Sequence, residues 1–410
     1  MCHLPRRVVI PVILTGLLIP SVTVACSWDY DTIKMERNRF PETLELITGK
    51  FLRHTPEFYE WRIQNRLDRL ERDPTNAALL DDLAVAYDKT GQHDKAIETA
   101  LRTERIHPGR YETAANLGTF YIHAGRPADG IPHIDRALKI NPEAHFGREK
   151  YQKLLVEYVL QRRQDVPFSF PLADVTDRTG TNSESPSGDV VTMDDTFADF
   201  LQGDRREFLT PEETSEAVKG ISGMMKFGQH DSPVLLEALG TLLVQEGYRP
   251  SVDAKLLAAR AFLKASTEVS EESARLAYRA MATRALQMQA PHGGSSTEEV
   301  TLQQVEADFE QELAEARSWY AELRSRELSW IGEGKNPEDE FDRVYYVAPE
   351  VSGMDVIDPM THEERWQRRL LGAGIVCVLV IAAGLAGTVF LVRRVLARRT
   401  ADPGRSPPVP

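Results

Sequence analysis

An all-α fold is predicted, in which stacked helical hairpins precede a second helical region and one C-terminal membrane helix. Three observations predict it. A 34-residue pattern repeats across 77–144, a series of Ser and Thr helix starts lies between 210 and 270, and an uncharged run of 23 residues extends from Leu370 to Val392.

The 410 residues, 42% hydrophobic and 27% charged, leave room for two or three globular domains and exclude a collagen-like or largely disordered chain. A net charge of -13 argues against a nucleic-acid binder, because phosphate contacts need a basic face. The charge is uneven. The two ends are basic, and the middle between them carries about -19, from 42 basic and 61 acidic residues. The three cysteines are Cys2, Cys26 and Cys377, so no disulfide can staple the bulk of the chain.

Residues 1–25 read as an export signal: Arg6 and Arg7 start it, Val8 to Ile19 is its apolar run, and Pro20 precedes the small-residue site Thr23-Val24-Ala25. Cleavage after Ala25 makes Cys26 the first residue. That position resembles a bacterial lipobox, although Thr23 and Val24 depart from it, so lipidation of Cys26 and simple cleavage both stay open. The domain that follows is expected over 26–162. Its first helices are predicted at 36–47 and 56–72, the second started by Thr55-Pro56.

Laying 77–110 over 111–144 without a gap aligns Leu83 with Leu117, Ala84 with Gly118, Tyr87 with Tyr121, Gly91 with Gly125, Ala96 with Gly130 and Pro108 with Pro142. Leu83 and Tyr87 share one helical face, Ala84 is small where a partner helix crosses, Gly91 permits the turn, and Pro108 ends the unit. The pattern resembles the tetratricopeptide repeat. Two departures stand out: Ala100 occupies the usual aromatic position, and Pro132 lies inside the second helix B unless that helix begins late, with Asp129 as its cap. Two repeats need neighbours to bury a continuous core, and a closing helix is predicted over 146–161.

A flexible linker is expected over 163–194, where Gly, Ser, Thr and Pro replace the apolar residues. A second helical domain is expected over 195–330, with helices at 211–226, 233–246, 252–267, 271–289 and 298–330. Thr210-Pro211-Glu212-Glu213 forms a capping box and Ser232-Pro233 repeats the device. Leu239-Gly240 echoes the repeat but lacks a helix B, so an ordinary hairpin is favoured. The long last helix carries Leu302, Val305, Phe309, Leu313, Ala316, Tyr320 and Leu323 on one face. Residues 331–369 read as a stalk containing a short strand at 344–347. The span 370–392 reaches about 35 Å at ~1.5 Å per residue, enough for a ~30 Å hydrocarbon core. The Arg-rich tail 393–410 fits a cytoplasmic end, which puts the N-terminal domain outside.

Motif chemistry is sparse. His362-Glu363 lacks the second His of a zinc-protease helix, Gly334-Lys335 lacks the Walker spacing, and the acids of 194–213 lack calcium-loop order. Half of the ten histidines, His93, His107, His123, His133 and His145, fall in or beside the repeats, on different faces of the repeat frame. They read as scattered, with a weak metal site or a partner contact as the rarer alternatives. No catalytic, cofactor or metal residue is assigned and no enzyme is expected.

What the resemblance implies is a concave wall made by helix A positions: Ala78, Asp81, Val85, Asp88 and Lys89, then Glu112, Ala115, Thr119, Ile122 and His123. Its acids suggest a basic or mixed-charge peptide, or another folded domain, as partner. The expected function is a membrane-anchored, exported protein–protein binding or assembly module. The alternatives are a structural subunit of an envelope membrane complex and, further off, a hydrolase with its site in 195–330. The lipobox echo and the lack of Asn-x-Ser/Thr sites after residue 25 lean toward a bacterial envelope.

Overall fold

Thr55, Asn76, Thr196, Thr210, Thr301 and Asn336 each start a helix by accepting from an amide of its first turn. The structure, a computed structural model, describes residues 40–142, 147–165, 169–177, 191–205, 207–247, 252–287 and 300–346. Within them the chain is predominantly helical with two short strands. The export segment 1–25, Cys26, the stalk beyond 346, the run 370–392 and the tail 393–410 lie outside the described residues. Among the described residues no helix is long and apolar enough to cross a membrane.

Helix α1 (Thr43–Thr48) is followed by α2 (Pro56–Leu70), where the Thr55 side chain accepts from the Phe58 amide. The repeat region forms two helical hairpins, α3 (Ala77–Lys89) with α4 (His93–Ile106) and α5 (Tyr111–His123) with α6 (Pro127–Ile140). Gly91 and Gly125 turn the two hairpins at matching positions, with φ of 74° and 75°, in the left-handed region that glycine enters without penalty. Gly118 and Gly130 let α5 and α6 touch. A Cβ on Gly130 would stand 2.7 Å from the Gly118 carbonyl oxygen, and one on Gly118 2.6 Å from Ile134 Cγ1. Leu83, Ala84, Ala96 and Leu117 are buried, Tyr87 and Tyr121 half-buried, and Pro108 and Pro142 exposed in the turns. Ala100 is buried with Ala84, Ile97 and Phe120, so its small size is accommodated by close helix packing.

Of the two readings of the second helix B, the one with Pro132 inside the helix is found. Helix α6 begins at Pro127, where a proline in the first turn loses no hydrogen bond, and runs through Pro132. Asp129 pairs with Arg126 at 2.7 Å instead of capping.

Helix α7 (Arg148–Asp165) leads to β1 (Asp174–Asp177), which pairs antiparallel with β2 (Val191–Asp194). The expected linker is therefore tied down on both sides of 178–190, which lies outside the described residues. Arg162 donates to the Leu172 carbonyl at 2.7 Å and reaches Asp174 and Asp195 at 2.5 and 3.1 Å. Buried Glu237 accepts from the Leu172 and Ala173 amides at 2.9 and 2.8 Å and from the Tyr278 hydroxyl at 2.7 Å. A polar segment is held here by a carboxylate more than 60 positions away, which local composition cannot announce.

The remaining helices are α8 (Phe197–Gln202), α9 (Pro211–Phe227), α10 (Pro233–Gly247), α11 (Val252–Thr267), α12 (Glu272–Gln287), α13 (Leu302–Gly332) and α14 (Pro337–Tyr345). The Thr210 capping box forms as expected. The Ser232 device does not: its hydroxyl is buried with no partner among the described residues, and its carbonyl accepts from the Leu236 amide. Gly240 lies against the Phe262 ring, so it serves the α10–α11 crossing of an ordinary hairpin.

One core cluster runs from Leu46 and Ile47 of α1 through Ile122 and Ile134 of the repeats and Leu155 of α7 to the buried faces of α9–α13. All described residues fall in one compact unit, so the two helical regions share a core instead of forming separate bodies. Helix α13, roughly 46 Å long at ~1.5 Å per residue, contacts α11 and α12 and also α1 and α2. The described part of the expected stalk, 331–346, packs back on the fold. Asn336, Pro337 and the acids Glu338, Asp339 and Glu340 start helix α14, because negative charge and proline both suit a helix N-terminus. Val344 and Tyr345 close that helix, so among the described residues of 344–347 there is no strand.

Candidate functional site

The last turn of α3 determines what happens to the concave wall. Lys89 Nζ donates to the Phe227 and Gly228 carbonyls at 2.6 and 3.1 Å, the negative end of α9. This contact ties the α9–α10 turn to the repeats. A cavity of about 410 Å3 is left beneath it, within the size range of small-ligand pockets. Its lining comes from five places: Phe51, Arg53 and His54 between α1 and α2; Pro56 and Tyr59 of α2; Val85, Asp88, Lys89, Gly91, His93 and His123 of the repeats; Met225 to Asp231 around the α9–α10 turn; and Tyr320 of α13. Four of the chain's ten histidines meet here.

Asp88 is the centre of the polar cluster. Its buried carboxylate accepts from His123 Nδ1 at 2.7 and 2.9 Å and from His93 Nδ1 at 2.9 Å. Burial pushes this carboxyl up, but the His123 charge and the hydrogen bonds from both imidazoles outweigh it and hold the group below the ordinary range. The hydrogen bond to Asp88 raises the His93 pKa in turn, against burial. His123 Nε2 is buried and has no partner among the described residues. Donor atoms of Asp88, His93 and His123 lie within 4.8 Å of one another, a set able to hold a metal ion.

His230 behaves oppositely. Burial, then the Arg53 charge, lower its pKa to about 4, so it faces the cavity as neutral imidazole. It packs over Gly49, where a Cβ would stand 2.5 Å from Nε2, and edge-on to Phe51. The Arg53 guanidinium lies 3.7 Å from the Tyr320 ring centroid and donates to the Phe51 carbonyl at 3.3 Å. His54 turns away to Glu327, with Nδ1 2.6 Å from its carboxylate.

Of the residues expected on the binding wall, Val85, Asp88, Lys89 and His123 line this cavity. The others do not. Asp81 is buried against Arg110 at 2.7 Å, and Glu112 stands 3.4 Å from the same guanidinium. Thr119 accepts from Gln152 at 3.2 Å, and Ile122 lies in the core. Asp81 and Asp88 are thus paired inside the fold and Glu112 is paired at its edge, which weakens the argument for a basic ligand. Arg53, His54, His230 and Tyr320 were missed because they come from outside the repeats. The Asp88–His123 contact had a signal. Positions near the end of helix A in successive repeats stack side by side, and these two are such positions.

No family model, curated protein or solved structure matches the chain.

Proposed function

We propose that the chain is an exported, membrane-tethered binding module of the tetratricopeptide kind, whose recognition element is the cavity beneath the α9–α10 turn. The ligand is an acidic group, the carboxylate of a side chain or chain end, presented by a partner protein. One observation carries this reading: among the charged lining residues Arg53, Lys89 and Lys226 stand against Asp88 and Asp231, and both Asp88 oxygens already accept from imidazoles. A cationic recess in a chain of net charge -13 is a local arrangement suited to anions. The repeat assignment is supported by the 34-residue register, which puts Gly91 and Gly125 in the same backbone conformation. Export and tethering are supported by the basic start and apolar run of 1–25 and by the uncharged 370–392 with arginines after it. An anchor raises the local concentration of whatever is held.

Fluorescence anisotropy with acidic, neutral and basic peptides, on the full chain in detergent, tests it. Acidic peptides bind, high salt weakens them, and Arg53→Gln lowers affinity by about tenfold or more at unchanged circular dichroism. Preference for basic peptides, or none, overturns the reading. A structural subunit is the second reading, favoured by the burial of Asp81, Thr119 and Ile122 within the fold. It predicts a stoichiometric crosslinked complex and no peptide binding.

A further inference from the structure

We infer that Asp88, His93 and His123 form a binding site for one divalent transition-metal ion, with zinc as the matching class. The inference shares the cavity with the reading above but does not rest on it, since metal content is read without any peptide.

The argument starts from where the three groups sit. Asp88 lies in the last turn of α3, His93 is the first residue of α4, and His123 is the last of α5. The first two are separated by the Gly91 turn, and His123 directly precedes the turn at Gly125, both glycines having positive φ. The cluster is therefore held by three helices and two fixed turns, which keeps its donors in place. All three side chains line one cavity, so the site has an open side.

The donor set is selective. Two imidazole nitrogens with one carboxylate suit zinc, cobalt, nickel or copper, whereas calcium and magnesium take oxygen shells. One donor atom of each residue lies within 4.8 Å of the other two, with Asp88 oxygens 2.7 to 2.9 Å from both Nδ1 atoms, so the three groups surround one point. On loading, the ion takes the place of the protons that the Asp88 oxygens share with the two Nδ1 atoms, so binding releases protons. His123 supplies the independent observation: it is buried, it lines the cavity, and its Nε2 has no hydrogen-bond partner among the described residues, so no protein group opposes the tautomer that leaves Nδ1 to the ion. A histidine placed for structure alone uses both nitrogens, whereas in His123 only the one facing Asp88 is engaged.

The full-length chain, purified in detergent, is stripped with chelator, loaded with Zn2+, desalted and assayed by plasma mass spectrometry. Co2+ loading adds a visible-absorption readout of coordination geometry. One equivalent of zinc is expected, with cobalt bands of a four- or five-coordinate nitrogen–oxygen site. Asp88→Asn, His93→Gln and His123→Gln each lower metal affinity by about tenfold or more. His107→Gln, outside the cluster, leaves it unchanged. Should Asp88→Asn or His123→Gln fail to fold, His93→Gln decides the matter, because His93 is partly exposed at a helix start. Wild-type protein that retains no zinc, or retains it equally in His93→Gln, overturns the inference. Acidic-peptide binding with no zinc removes this inference alone, and zinc with no peptide binding removes only the proposed ligand.

Discussion

Asp81 and Asp88 lie two turns apart on α3, and both are buried, yet the fold treats their charges differently. Asp88 has two imidazole donors, while Asp81 has Arg110 at 2.7 Å, a guanidinium that is itself one-third exposed. Burial therefore dominates at Asp81 and pushes its pKa up to about 7, with Arg110 only partly offsetting it. With a folded-state pKa above the unfolded one, the native chain binds the extra proton between about pH 4 and 7. Stability from this group is present at the acid end of that window and lost as pH rises through about 7. Replacing Asp81 by Asn should shift relative stability in favour of the variant by about 1–3 kcal/mol between roughly pH 5 and pH 8, read from urea titrations of both proteins. A difference that does not change with pH would contradict the assignment. The contrast also shows how far single residues were legible. Leu83, Ala84 and Leu117 could be placed by helical periodicity, because a residue's face is a local property. Pairing of Asp88 with His93 and His123 was not placed, because the sequence reading assigned histidines to faces of single helices and not to the stacked ends of neighbouring ones.

Helix α13 shows the same limit one level up. Its apolar stripe was readable: Val305, Phe309, Ala316 and Leu323 are buried as their three- and four-residue spacing requires. The stripe continues to Trp330, and between Leu323 and Trp330 the stripe position is filled by Glu327, which is fully buried. An acid on an apolar face needs partners. They are supplied by His54, at 2.6 Å, and by the Thr55 amide, at 2.8 Å, just where α2 begins. The next helix repeats the device, as Glu338 of α14 meets Arg62 and Arg66 of α2 at 2.8 and 2.5 Å. Glu327 and Glu338 thus fasten the end of the described chain to its beginning, where the sequence alone suggested a helix running into a stalk from 331. Glu327→Ala removes acceptors from two buried donors and should cost about 2–4 kcal/mol. Hydrogen exchange should quicken at the start of α2 and over 320–345 before it does in α9–α12. Uniform quickening across all helices would mean that Glu327 does not fasten these two elements in particular.

At the scale of the whole molecule the consequence is cooperativity. Domain boundaries were expected from composition, with the Gly- and Ser-rich stretch at 163–194 dividing two bodies, but composition reports only how a segment is built and not what lies on either side of it. Ile122 and Ile134 of the repeats, Tyr151, Leu155 and Val159 of α7, and the inner faces of α9–α12 belong to one buried cluster. Cutting the chain after α7 would expose that shared face as a contiguous apolar patch, a surface that soluble monomers rarely carry. Cutting would also remove Glu327 and Glu338, which the arginines and amide of α2 bind. A piece covering 40–346 should therefore unfold in urea as one transition by both far- and near-ultraviolet circular dichroism. A piece covering 40–165 should keep helical far-ultraviolet signal, lose fixed near-ultraviolet signal and bind a hydrophobic dye. Two resolved transitions in the longer piece, or a shorter piece with intact tertiary signal, would show that the repeats stand alone. In that case the cavity at the α9–α10 turn would be a contact between independent bodies, and its ligand preferences would depend on whether the bodies are docked. With a single transition, the cavity is as stable as the fold, and Asp88, His93 and His123 are held in register by the same core that joins the two helical regions.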